Sequence, residues 1–427
     1  MMVVSAAATG VTSRLRPWMA VWAGIFACTW GGNQFSPLLL MYEERVHYSS
    51  IVVNGLLGIY VLGLIPALLI AGAMSDRRGR KRLMLGGVLA TITGSVLLAL
   101  GPFGLGFLAA GRLFSGIGVG VAMAVGTSWM TELSMRPYDA GARPGTGARR
   151  SAVVFGTGSA CGALVAGLLA QWGPLPETLP FLVHIALSVP ALAAVLTAPE
   201  THRAPADTAE SVSRRGFRAP GMTHKRFLLV VMIASPWLFG GAAIGYGYLP
   251  TRLEDATGAY GLVFATSASV IALATSSLVQ PFARWIHSEN SARGLIVAVL
   301  ALTAGIALAT VSIDLQSIIL AVVSNVAIGA GIGIGQVSGL LEVQRIAGPS
   351  ELAVLTGAFY SLAYVGFFLP LIIAGLAVHV GLFVVLWSVV ALAALTVLGL
   401  AFSSTKHLPP VRGPVEVEVP DEEPAQR

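Results

Sequence analysis

The feature that most constrains this chain is a series of long uncharged stretches separated by short connections in which the charges gather. They fall at 17–40, 51–73, 83–101, 106–131, 151–171, 180–198, 227–249, 261–282, 294–312, 317–341, 352–377 and 381–402, each close to the ~20 residues that carry a helix across a bilayer core. Charged residues make up 11% of the 427 positions, against about 25% in an ordinary globular chain. A soluble fold is excluded on that ground. Runs such as 56–73 are apolar on all sides and do not alternate, which selects helices over the strands of a membrane barrel. Arg14 and Arg16 ahead of the first run imitate a signal peptide, but the run is too long and lacks a clear cleavage site. It is read as the first span.

Orientation follows from the basic residues, because cytoplasmic connections collect Lys and Arg. Twelve crossings with the N-terminus inside put all but three of the 26 Lys+Arg in the cytoplasm; Arg45 and Arg252 lie outside and Arg112 lies within a span. The expected location is a bacterial inner membrane, multi-pass, with both termini cytoplasmic. The pI near 9.6 reports that topology, and no nucleic-acid partner is expected. Cys28 and Cys161, inside spans one and five, read as free thiols used for packing.

The longest polar break after the first span, 199–226, is rich in Ala, Pro, Ser and Arg and has six spans on either side. The two sides match at a fixed offset: Gly32 falls on Gly245, Pro37 on Pro250, Arg80 on Arg293, and Gly116, Gly118 and Gly120 on Gly329, Gly331 and Gly333. Ser75-Asp76 likewise falls on Ser288-Glu289. The expected fold is an all-α polytopic membrane protein whose twelve transmembrane helices form two six-helix bundles related by pseudo-two-fold symmetry. The bundles would be 1–198 and 227–402, joined by a cytoplasmic linker at 199–226 and followed by a solvated, disordered tail at 403–427.

Between spans two and three stands Gly72-Ala-Met-Ser-Asp76-Arg-Arg-Gly79-Arg80-Lys81. It resembles the G-x-L-a-D-R-x-G-R-K signature of the major facilitator superfamily, with Met74 in place of the usual Leu. The resemblance implies a conformational latch. Gly72 would permit close helix approach, Asp76 would face the positive end of helix 11 near Glu351–Leu355, and Arg80 would pair with Glu132 at the inner end of helix 4. Glu289, Arg293 and Arg345 would form a weaker copy in the second half. Span five, from Gly158 to Gly167, looks like a degraded form of the G-x-x-x-G-P-x-x-G-G motif of drug/proton antiporters in this superfamily, with Ala163 for the Pro and Ala166 for a Gly. Ordinary packing of membrane helices explains the same small-residue stripe.

Arg112 opens span four as Gly111-Arg112-Leu-Phe-Ser-Gly116, and a charge there costs several kcal/mol unless it is paired or faces a cavity. It resembles the family's helix 4 arginine. A substrate or proton-relay group and a structural donor to helix-end carbonyls both remain open. In the first span Trp30, Asn33, Gln34 and Pro37 follow helical spacing and share a face. The repeat places Tyr246 opposite Asn33, with Trp237 nearby, and Asn325 at the place of Arg112; Gln336, Tyr360 and Tyr364 complete the expected cavity lining. Aromatic walls with neutral polar groups suit an amphipathic organic solute. His184 can titrate near neutrality, but a satisfied buried histidine is the plainer reading of it. Glu132 and His184 are the proton-coupling candidates. No catalytic or metal-ligating constellation and no cofactor is expected.

Taken together, these residues point to a secondary transporter working by alternating access, with proton-coupled efflux of small organic compounds as the leading expectation. Proton-coupled import of a small metabolite or organic anion, with Arg112 as the anion clamp, is the alternative. The expected partners are a small-molecule substrate, protons and the bilayer, and the expected state is a monomer.

Overall fold

The computed structural model of the protein describes residues 16–143, 145–201, 220–288, 290–348, 351–406 and 408, except for the side chain of Asp76. Among them the chain is helical from end to end, with one isolated bridge between Ser288 and Ser291. The first crossing is α1 (Pro17–Asn33), continued by a short helix, Leu38–Glu44. It is followed by α2 (Ser50–Arg78), α3 (Arg80–Ala99), α4 (Leu105–Leu133), α5 (Thr146–Trp172) and α6 (Leu179–Thr197). The second half repeats the series as α7 (Phe227–Tyr248), α8 (Gly261–Ile286), α9 (Arg293–Asp314), α10 (Ile318–Ile346), α11 (Leu352–Val380) and α12 (Leu382–Ser403).

Eleven of these helices are long and apolar enough to cross a membrane. The twelfth, α1, falls short because Pro37 has no N–H and cannot continue the ladder, so the backbone turns at residues 34–37. Helices α3 and α9, and α4 and α10, begin 213 residues apart, the offset read in the sequence. Several ends run past the apolar stretches. Helix α10 reaches Ile346, five residues beyond the expected 341, and α2 reaches Arg78, because a helix continues into the aqueous boundary where polar side chains are solvated or paired.

Close helix approach is what the repeated glycines provide. A Cβ on Gly116 would lie 2.0 Å from the Tyr60 carbonyl oxygen, and one on its counterpart Gly329 would lie 2.4 Å from that of Ala272. Helices α4 and α10 therefore pack backbone to backbone on α2 and α8, as small-residue membrane interfaces do. Across the two halves α2 runs against α11 and α5 against α8. The end of the bundle that carries the α2–α3 turn is called here the basic end, and the other the far end.

The first residues of the expected tail are built into the fold. The carbonyls of Ser404 and Lys406 accept bonds from Arg226. From 409 onward the tail lies outside the described residues, as do 202–219 of the linker.

Candidate functional site: a mid-membrane seam between two gated ends

The break in α1 prepares the place of Arg112. Ser36 N–H bonds to Asn33 rather than to Gly32, leaving the Gly32 carbonyl without its helical partner. Arg112 Nη1 donates to that oxygen at 3.2 Å and its Nε to Leu56 O at 3.2 Å. The guanidinium lies between the Phe35 and Tyr60 rings, 4.7 and 4.4 Å from their centroids, and the residue is 1% exposed. Of the two readings of Arg112, this geometry is that of the carbonyl donor. The side chain is enclosed by α1, α2 and α4.

Gln34 departs from the face of Asn33. Adjacent residues are about 100° apart around a helix, so Asn33 turns to α5, where its amide donates to Ser159 Oγ at 2.9 Å. Gln34 turns instead to α3, donating to Ser95 Oγ at 2.9 Å. Ser95 in turn lies 2.7 Å from His184 Nδ1, and His184 Nε2 lies 2.9 Å from the Ala27 carbonyl. Because a carbonyl only accepts, Nε2 carries a proton and donates it there; toward the Ser95 hydroxyl, Nδ1 accepts in the neutral ring and donates in the protonated one. Gln34 and His184 thus belong to a fully buried polar chain between α1, α3 and α6, away from the meeting of the halves.

What stands at that meeting is aromatic. Tyr364 of α11 stacks on Phe239 of α7 at 4.4 Å and meets Tyr60 of α2 edge-on at 6.4 Å, while Phe367 touches Tyr60, Phe239 and Tyr364. The Tyr364 hydroxyl lies 3.5 Å from Met123 Sδ in α4. Tyr60, Phe239, Phe367 and Met123 escaped the sequence reading because one apolar ring in an apolar span looks like any other. Of the expected lining, Trp30 is buried with an unpartnered Nε1, Tyr246 is buried in the second-half core, and Tyr360 packs on Phe359. Gln336 accepts from Gln280 of α8 at 3.2 Å. Trp237 turns from the seam to donate to Thr396 in α12. Asn325 is buried, bonded to its own helix at Ala321 O, with its Oδ1 against Gly245. The stripe of α5 packs: Cβ atoms on Gly158 and Gly162 would collide with Thr29 and the Trp30 carbonyl of α1.

At the basic end Arg80 and Glu132 form the expected pair, Nη2 and Nε each 3.1 Å from Oε1. Arg80 also bonds Ser75 Oγ, and Glu132 accepts from Thr201. Glu200 was not anticipated: its carboxylate accepts the Arg80 and Lys81 N–H groups at 2.9 and 3.0 Å and so caps α3. Gly79, at φ +92°, is required there, since a Cβ would stand 2.5 Å from Glu200 Oε2. Gly72 is not needed for close approach, for a Cβ there meets nothing nearer than Ala124 at 3.9 Å. The Asp76 carboxylate and Glu289 lie outside the described residues. Arg293 caps the end of α8 through the carbonyls of Trp285, Ile286 and His287, and Arg345 lies 3.7 Å from Glu342 on its own helix. The strong pair of the second half is instead Arg226–Glu342, bidentate at 2.7 and 2.9 Å, with both side chains 1% exposed or less.

The far end is closed between the halves. Glu43, after α1, pairs with Arg252, after α7, and both bond Ser50 at the start of α2. Gln171 of α5 donates to the Ala259 carbonyl across the same seam at 2.9 Å. Beside this pair, beyond the apolar end of the first crossing, burial raises the Glu44 pKa above its ordinary value, with Glu254 and Glu43 adding to the rise and Arg45 opposing it.

Comparisons with known proteins agree with this architecture. Residues 21–370 match the family model of the Major Facilitator Superfamily. Two uncharacterized MFS-type transporters of Mycobacterium tuberculosis, from strains CDC 1551 / Oshkosh and ATCC 25618 / H37Rv, are each 33% identical over 143 residues, 31% of this chain. The match spans only 20% of those curated relatives' length. Among solved structures, a POT family transporter in complex with 5-aminolevulinic acid superposes with TM-score 0.74 at 13% identity, covering 94% of this chain and 98% of that one. A D-xylose-proton symporter gives 0.69 at 16%, covering 92% and 97%, and the human organic anion transporter TETRAN gives 0.61 at 19%, covering 90% and 99%. The last three share the fold. With its eleven membrane-length helices among the described residues and its α2–α3 turn, the chain is a multi-pass membrane protein that belongs to the Major Facilitator Superfamily.

Proposed function

We propose that the protein exports small amphipathic organic compounds in exchange for protons, with the basic end facing the cytoplasm. The observation that carries this reading is the aromatic seam of Tyr60, Phe239, Tyr364 and Phe367, contributed by both halves at mid-membrane and lying between a closed far end and a basic end with its own ion pairs. An aromatic wall with two phenol hydroxyls and a thioether rewards flat apolar solutes that carry one or two polar groups. Opening of the far end would require the Glu43–Arg252 pair to part, and Arg80–Glu132 would hold the basic end while it does.

Proton coupling is assigned to acids at the ends, Glu132 at the basic end or Glu43 at the far end, with His184 as the buried alternative. Import of an organic anion would need Arg112 as a free clamp. Its Nη1 and Nε already donate to the Gly32 and Leu56 carbonyls, so that reading has the weaker support.

Proteoliposomes loaded with a fluorescent aromatic cation and given an inward-directed pH step test the assignment. Proton-driven movement of the dye that is lost in Tyr364→Ala supports it. Movement insensitive to the pH step, or unchanged in the variant, overturns it.

A further inference from the structure

At the basic end five arginines and one aspartate converge on a cavity of about 750 Å³. Arg16 precedes α1, Asp139 and Arg143 stand in the α4–α5 connection, Arg149 and Arg150 lie in the first turns of α5, and Arg284 comes from the last turn of α8 in the other half. Within the cavity Arg150 is already engaged. It lies 2.8 Å from Asp139, donates to the Ser134 hydroxyl and stacks on the Trp18 ring at 3.9 Å. Among the described residues no carboxylate forms an ion pair with Arg16, Arg143, Arg149 or Arg284. Helix α5 also begins without a side-chain cap, so its first N–H groups add to the positive field.

A topological excess of positive charge scatters basic residues over the connections. Here four segments from both halves aim them into one concavity. The two helices that supply Arg149 and Arg284 also carry exposed apolar side chains close to them in the chain: Phe282 and Trp285 of α8, 5.3 Å apart and edge to face, flank Arg284, and Val153 of α5 stands one turn after Arg149. A soluble phosphate gains nothing from such side chains, whereas a lipid needs them for its chains.

We propose that this cavity binds the phosphate headgroup of an anionic phospholipid from the leaflet at the basic end, with its acyl chains along the α5–α8 seam. Guanidinium groups suit the headgroup because they donate two parallel hydrogen bonds to phosphate oxygens. Since Arg149 and Arg284 belong to different halves, a bound headgroup ties α5 to α8 at this end.

Native mass spectrometry of the detergent-purified chain, titrated with phosphatidylglycerol, phosphatidylcholine or inorganic phosphate, tests the site. Phosphatidylglycerol should bind and phosphatidylcholine should not. In the double variant Arg149→Gln/Arg284→Gln the affinity should fall about thirtyfold, two surface charges' worth. Arg16→Gln/Arg143→Gln should lower it similarly, while Arg77→Gln/Arg78→Gln, at the exposed end of α2, should leave it unchanged. Melting without lipid must match the wild type in any variant that is counted. Equal losses in all three double variants would reduce the effect to overall charge, and equal binding of inorganic phosphate would make the site one for soluble anions; either result overturns the proposal.

Discussion

The guanidinium of Arg112 in α4 donates to the carbonyl oxygen of Gly32 in α1, at 3.2 Å. The counterparts of these two residues in the second half, Asn325 and Gly245, are also in contact. One half fills the position with a cation that bonds across the helices and the other with an amide that bonds its own helix, so the two halves share the proximity and not the hydrogen bond. Arg112→Gln should therefore act first on stability, lowering it by about 2–4 kcal/mol, because buried carbonyls lose a charged donor in a medium with no water to replace it. Arg112→Lys should recover less than half, since an ammonium cannot reach two carbonyls and stack between two rings at once. Thermal unfolding in detergent measures this. Unchanged melting with transport abolished would place Arg112 in solute binding instead.

The Arg80–Glu132 pair is partly exposed, at 12% and 28%, so its energy is modest. Arg80→Gln and Glu132→Gln should each slow transport, and the double variant should be little worse than either, with a coupling of about 0.5–1 kcal/mol. Initial rates in proteoliposomes give the cycle. Strictly additive losses would show that the pair does not act as a unit.

At the far end, Glu43→Gln removes the ion pair between the halves while keeping a hydrogen-bonding group beside Ser50. The closed state should lose about 1 kcal/mol, a roughly fivefold shift toward opening. Spin labels on the exposed positions His47 and Asp255, one in each half, should then report a larger long-distance population. An unchanged distribution would remove Glu43–Arg252 as a gate.

Glu44 supplies a pH dependence of known sign. Its raised pKa means that the folded state favours the protonated carboxyl. That contribution to stability is fully present below the ordinary carboxylate pKa and is lost as pH rises through the raised value. Glu44→Gln should thus melt higher than the wild type at pH 7, by a few tenths of a kcal/mol, and equally at pH 4, since solvent still screens a half-buried group. A gain at pH 4 as large as at pH 7 would contradict the assignment.

Eleven of the twelve expected crossings, the offset of the halves and the Arg80–Glu132 pair were legible in the sequence, because membrane insertion demands long apolar runs and because the α2–α3 turn has a distinctive pattern. Three things were not. Glu200 stands 120 residues from Arg80, and no local pattern tells that the end of α6 returns to the start of α3. The parting of Asn33 and Gln34 follows from the helix turn, but which of the two faces the seam depends on how α1 rolls against α3 and α5. Glu342 was placed just outside span ten because apolar runs are cut at the first charge, whereas a helix can carry a buried acid when a partner arrives from elsewhere in the chain.

That partner is Arg226, the last residue of the expected linker. Its five donors are unusually well used, with two on Glu342 and further bonds to the Ser404 and Lys406 carbonyls, so it joins the start of α7, the end of α10 and the residues after α12. Removing one partner strands a buried charge, and Glu342→Gln or Arg226→Gln should each cost about 3–5 kcal/mol. Replacing both by apolar residues of similar volume, Arg226→Met with Glu342→Leu, leaves no stranded ion and should recover most of that loss. The recovery should be incomplete, because the Ser404 and Lys406 carbonyls still lack their donor. Thermal melting of the two single variants and the double variant decides it: a double variant less stable than either single would mean that the pair contributes through its charge and not through its packing.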